Sequence, residues 1–384
     1  MDSSIPSFKN DPNAGSGEEV NPDVSTPSLG TIAPQSDKGA INDLKILSDK
    51  VAQSAIPPKL AETIQNRLSQ LEKLTTSLSF LPELDRMARY IDWAVKIPWD
   101  KRSEDQLDLE KAKVVLDSHH YGLAEIKERI LEYMAVMKLK IERGEGIDIM
   151  RAPILCFVGL VGTGKTTIAS SIAESMGRKF ARIPFGGMGD PLDLRGQSRA
   201  HPEAEPGKVI KALVTTQSKN PVILLDEIDR VTDEGRASIM GVLVELLDPV
   251  QNHEYVDHYI DYPVDLSQVL FIATANNTTN IATAVMDRLE PMVMPSYTDL
   301  EKITIGKSYV LPKKLKAAGI TEGAIQIEDD VWAKVVRPLG FDAGIRTLER
   351  TIDGMVRKVA KMVVEGKGEM YKITPENVKD FLPR

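Results

Sequence analysis

The strongest chemistry in this 384-residue chain lies in one short run, Gly159-Leu160-Val161-Gly162-Thr163-Gly164-Lys165-Thr166. It fits the pattern G-x-x-x-x-G-K-[ST], directly after the apolar run from Ile154 to Val158 and directly before a helical pattern. Glycines let such a loop wrap closely around phosphate oxygens, and the exposed amides at a helix start supply positive potential. Lys165 would reach the terminal phosphates of a nucleotide and Thr166 would ligate Mg2+. The expected nucleotide contacts are Gly159, Gly162, Thr163, Gly164, Lys165, Thr166 and the following Thr167.

About sixty residues later a second apolar run, Val222-Ile223-Leu224-Leu225, ends in Asp226-Glu227. Asp226 is placed to hold the magnesium through water, and Glu227 to activate an attacking water as a general base. A third run, Phe271 to Ala275, ends in Asn276. In a parallel sheet the carboxyl edge is where ligands bind; there Asn276 would orient the water or sense the γ-phosphate of ATP, or would serve as a strand-end turn residue.

Elements must position these groups. Residues 1 to 40 are dominated by Ser, Pro, Gly, Asn, Asp and Glu, too few apolar side chains to offset chain entropy, and are expected to be a disordered tail. Residues 56 to 118 form a helical N-terminal region. Leu60, Ile64, Leu68, Leu71, Leu74 and Leu78 recur there at spacings of three and four, the stripe of an amphipathic helix. Between residues 119 and 296, short apolar runs alternate with helical patterns, which predicts an α/β domain with a parallel sheet covered on both faces. From 297 to 384 strand signals stop and helical patterns predict a separate helical lid.

The net charge of −8 disfavours constitutive binding to nucleic acid or anionic membranes. The single cysteine, Cys156, sits in an apolar run, as a buried structural thiol would. No stretch approaches the ~18 apolar residues of a membrane helix, and a cytoplasmic protein is expected. The five histidines are scattered, without zinc spacing or a nucleophile pattern.

Phosphate loop, acidic strand end and polar third strand, in this order before a helical lid, resemble the AAA+ ATPases, P-loop NTPases of α/β fold. Denser text narrows the resemblance to the ATPase half of the Lon protease family: Asp92-Trp93, Ile97-Pro98-Trp99, His120-Tyr121-Gly122-Leu123, the run from Lys127 to Tyr133, Pro153 to Cys156, Leu224 to Asp229, Leu246-Leu247-Asp248-Pro249 and Asp257-His258-Tyr259. The resemblance runs from about residue 56 to the C-terminus. It implies that Tyr121 and Gly122 border the adenine. It implies that Arg288 is an arginine finger reaching the ATP of a neighbouring subunit, and that Arg346, in Gly344-Ile345-Arg346, is the lid's phosphate sensor. A homo-oligomeric, hexameric ring that remodels protein substrates follows from it, as does absence of the Ser-Lys peptidase, because the sequence stops at Leu382-Pro383-Arg384, where the ATPase module ends. A separate peptidase subunit would then complete proteolysis.

Two departures stand out. Leu160-Val161 replaces the two prolines usual in the Lon loop. His201-Pro202-Glu203 stands where Lon places an aromatic and an aliphatic residue that grip polypeptide. The second departure opens an alternative, a nucleotide-gated scaffold that changes shape without threading a chain.

Overall fold

The computed structural model describes residues 37–143, 154–337 and 342–383, apart from Thr76 and Leu78. Most of the expected tail, and Leu78 of the leucine stripe, lie outside the described residues; residues 37 to 40, assigned to the tail, belong instead to a helix, Asp37–Ala52. Its buried Leu44 and Val51 pack on the next two helices. Those are Pro58–Glu72, which buries Leu60, Ile64, Leu68 and Leu71, and Phe80–Lys96. The first of these two stops before Leu74, which is left 46% exposed, so the predicted stripe is shorter than its spacing suggested.

Nine strands are present among the described residues: β1 Ile154–Val158, β2 Phe180–Pro184, β3 Val222–Asp226, β4 Tyr255–Val256, β5 Pro263–Val264, β6 Leu270–Ala275, β7 Leu289–Val293, β8 Ile325–Ile327 and β9 Tyr371–Ile373. Five of them form the central sheet in the order β2-β3-β6-β1-β7, with all pairs parallel. The period of two along each strand sorts its side chains into two cores. Ile154, Cys156, Ile223, Leu225, Phe271 and Ala273 face one side, while Leu155, Phe157, Val222, Leu224, Leu270 and Ile272 face the other.

The first face is covered by helices Lys208–Thr216 and Arg236–Leu246 and shares its core with the N-terminal helices. The second is covered by Leu109–His119, Ala124–Glu142 and Lys165–Ser175. The expected α/β layering is therefore present. β7 was not anticipated: Glu290 and Pro291 interrupt its apolar run. Proline removes a ladder donor and is tolerated at a sheet edge, where β7 lies.

A third core, from Tyr297 to Phe381, belongs to the C-terminal region. Thr298 and Glu301 close a reciprocal capping box at helix Asp299–Ile305. The chain then passes through a π-helical turn at Gly306, where a Cβ would come within 2.5 Å of the Trp332 ring. The expectation of helices alone is corrected here, because β8 and β9 pair in parallel beside helix Arg346–Val364. Each has only three residues, too few to declare a period.

Candidate nucleotide site

The loop from 159 to 166 joins β1 to helix Lys165–Ser175. Gly162 and Gly164 adopt φ of +85° and +96°, in the left-handed region that favours glycine. Gly159 is needed for closeness, since a Cβ there would lie 2.7 Å from the Met294 carbonyl oxygen. Lys165 is 7% exposed. Its ammonium donates to the carbonyls of Gly159 at 2.6 Å and Leu160 at 3.0 Å, and to Asn276 Oδ1 at 3.2 Å. Burial holds its pKa below the usual lysine value despite the attraction of Glu227, Asp226 and Asp229.

β3 delivers the two acids to the carboxyl edge of the sheet. Asp226 is buried; Arg182 Nε on β2 donates to its Oδ2 at 2.6 Å and the Thr274 hydroxyl on β6 donates to its Oδ1. Glu227 has φ +58°, a conformation that costs a non-glycine residue energy and that clusters at functional sites. Its amide donates to Thr274 Oγ1 at 2.9 Å, so one threonine fixes both acids. Asn276 follows β6, its backbone held by the buried Asp229 at 3.1 Å. Its side-chain Nδ2 is buried without a hydrogen-bond partner among the described residues. Buried polar groups are nearly always satisfied, so this donor is poised for a ligand or a water.

Lys165, Thr166, Thr167, Asp226 and Glu227 line one cavity of 260 Å³ together with Gly162, Gly164, Arg182 and Arg346. A neighbouring cavity of 480 Å³ shares Gly164 and Thr167 and is bounded by His120, Tyr121 and Tyr309. The Tyr121 and Tyr309 rings meet edge to face at 6.5 Å. His120 Nε2 lies 2.9 Å from Ser171 Oγ; burial, then His119 and Lys127, push its pKa down to about 4, so it is a neutral wall near pH 7. Gly122, at φ +65°, turns the chain behind Tyr121 into helix Ala124–Glu142.

The C-terminal region closes the loop from above. The Ile345 amide donates to the Gly162 carbonyl at 3.0 Å, and the Tyr297 hydroxyl donates to Thr163 O at 3.3 Å. A Cβ on Gly344 would sit 2.5 Å from the Gly162 carbonyl carbon. That contact brings Arg346, the first residue of its helix, to the cavity.

Comparison with known proteins agrees with this arrangement. The family described as "ATPase family associated with various cellular activities (AAA)" matches residues 155–297, and the "Lon protease AAA+ ATPase lid domain" matches residues 316–372. The chain belongs to the Lon-type AAA+ ATPases. It is 42% identical to Lon protease of Lawsonia intracellularis over 343 residues, 89% of this chain and 40% of that protein. It is also 39% identical to Lon protease 1 of Bacillus subtilis over 345 residues, 90% of this chain and 43% of that protein. Lon protease 2 of Thermus thermophilus is 40% identical over 332 residues, 85% and 41% of the two chains. The chain thus spans about two fifths of the length of the curated relatives it matches.

Not every expected residue lines the cavity of this Lon-type module; Gly159, Thr163 and Asn276 do not. Arg288, at the entry to β7, lies outside its lining and instead donates to Asp248 Oδ2 at 2.8 Å and to the Ala284 carbonyl at 2.7 Å. Three residues at or beside the site were missed. Arg182, a charge inside a short strand, was the one visible signal; Thr274 and Asp229 look ordinary until the sheet brings them beside Asp226 and Asn276. His201, Pro202 and Glu203 are all exposed. Among the described residues no helix is long and apolar enough to cross a membrane.

Proposed function

We propose that this chain binds ATP with Mg2+ and hydrolyses it within a ring of identical subunits, and that it uses the cycle to remodel protein substrates. The observation that carries this reading is the convergence of Lys165, Thr166, Asp226, Glu227 and Arg346 on one cavity beneath a glycine-shaped loop. The donor set fits the expected ligand: amides and three cations for phosphates, a hydroxyl and a carboxylate for a hard cation. Thr166 and Asp226 would hold the magnesium, which neutralises charge on the phosphates when bound. Lys165 would exchange the loop carbonyls for phosphate oxygens. Glu227 takes the proton of the attacking water, Asn276 orients that water through its unpartnered Nδ2, and Arg346 contacts phosphate from the same subunit.

Arg288 would act across a subunit interface, a role supported by its position outside its own subunit's cavity and by its retention of 28% side-chain exposure while paired with Asp248. A hexamer in the cytoplasm, with a peptidase in a separate subunit, extends the same reading by family likeness. The second reading, a nucleotide-gated scaffold, is favoured by one observation: the exposed tip carries His201-Pro202-Glu203 without a bulky apolar side chain.

The test is ATP turnover by the purified chain with and without unfolded casein, with Glu227→Gln as control. Stimulation by casein supports the motor, and turnover indifferent to polypeptide supports the scaffold. The Glu227→Gln variant should keep ATP affinity and lose about 10²–10⁴-fold in turnover. Normal hydrolysis in that variant removes Glu227 from the base role.

A further inference from the structure

A second cavity, larger than the one at the nucleotide site, lies elsewhere among the described residues. It is an 820 Å³ groove between helices Pro58–Glu72 and Phe80–Lys96 on one side and the segment from Ser198 to Ala204 on the other. Its floor is apolar: Leu71, Met87, Tyr90 and Tyr259 are each less than 10% exposed, and the two rings meet at 6.2 Å. Its walls carry four arginines, Arg67, Arg86, Arg89 and Arg199, against two carboxylates, Glu83 and Asp261, in a chain whose net charge is −8. Arg199 is fixed over the Tyr90 ring at 4.0 Å and pairs with Asp261 at 3.3 Å. Arg86 and Arg89 make only exposed pairs, with Glu83 at 3.1 Å and Asp85 at 2.9 Å, while Arg67 pairs with no carboxylate among the described residues. Exposed pairs of this kind are worth little and exchange readily for a better carboxylate.

We propose that this groove receives an acidic, extended segment of the polypeptide substrate and hands it to the exposed tip at His201-Pro202. The inference deepens the remodelling reading above and rests on it. An extended chain sends alternate side chains to opposite sides. A segment that alternates carboxylates with apolar residues therefore lays its apolar set on Leu71, Met87 and Tyr259 and its acids against the arginine walls. Guanidinium groups suit that task because their planar fork takes a carboxylate through two hydrogen bonds. Nucleic acid fits less well, because Arg199 already covers the Tyr90 ring on which a base would stack. His201 and Pro202 line the same groove, so selection would occur where the family's aromatic grip is missing.

The experiment measures fluorescence anisotropy of a short fluorescein-labelled peptide alternating glutamate with leucine, mixed with the full chain at low salt and without nucleotide. Its counterpart with lysine in place of glutamate and a single-stranded oligonucleotide of matched length are the comparisons. The acidic peptide should bind at least ~10-fold more tightly than either, and more weakly as salt rises. The double variant Arg86→Glu with Arg89→Glu should weaken it at least ~10-fold, whereas Arg357→Glu, on the helix Arg346–Val364, should leave it unchanged. Equal binding of the acidic and lysine peptides, tighter binding of the oligonucleotide, or equal losses from both charge reversals would overturn the proposal. Lys165→Ala should bind the peptide normally, so failure of the groove and failure of ATP turnover are read separately.

Discussion

The phosphate loop and the segment from Gly196 to Gly207 are both glycine-bounded loops, but they are built on opposite plans. In the phosphate loop the backbone itself is the working surface. Gly162 and Gly164 take left-handed conformations, and Lys165 is buried against its own loop carbonyls. In the second loop the base is fixed by buried contacts and the tip is not buried. Asp257 is fully buried and accepts from the amides of Gly207, Tyr259 and Ile260; Gly207 lies so close to Leu194 that a Cβ would meet its carbonyl oxygen at 1.9 Å. The tip from His201 to Glu203 is exposed. A loop whose chemistry lies in its backbone tolerates little change at its glycines, whereas a loop anchored at its base can change its tip without loss of shape.

Breaking the first plan should have the largest effect. Lys165→Ala removes the buried cation, and ATP affinity measured by titration calorimetry should fall at least ~100-fold, as expected when a charge-assisted contact is lost from a partly buried site. Retained affinity would mean that the loop does not hold phosphates. An intermediate effect is expected at the anchor of the second loop. Asp257→Asn offers an amide where a backbone N–H needs an acceptor, so thermal unfolding should show a loss of about 1–3 kcal/mol. An unchanged midpoint would mean that Asp257 does not hold the base. The smallest effect should come from the tip: His201→Ala should stay within about 0.5 kcal/mol of the parent in the same assay. A larger loss would show that the tip is structural after all.

Legibility in the sequence follows the same division. The loop from 159 to 166, Asp226-Glu227 and the β3 and β6 runs were readable because each is local, with spacing and residue type together stating the backbone. Arg182, Thr274 and Asp229 were not readable, since they matter only after parallel pairing sets β2 and β6 beside β3. Helix Asp37–Ala52 was missed because a Ser-, Pro- and Gly-rich stretch precedes it and its buried side chains are few. Strand β7 was hidden by Pro291, and β8 and β9 by their length. The N-terminal helices were recognised, but not their sharing of a core with the sheet, where the Tyr90 hydroxyl donates to the Ile260 carbonyl.

The seat of Gly344 on Gly162 has a mechanical consequence. Helix Arg346–Val364 starts at that contact and runs for 19 residues, about 28 Å. A tilt of roughly 10° about the seat would carry its far end about 5 Å, whereas the phosphate loop beneath the pivot would move by a fraction of an ångström. The helix is a pointer with its fulcrum on the loop, so a label near Val364 would read small adjustments at Gly162 at high gain.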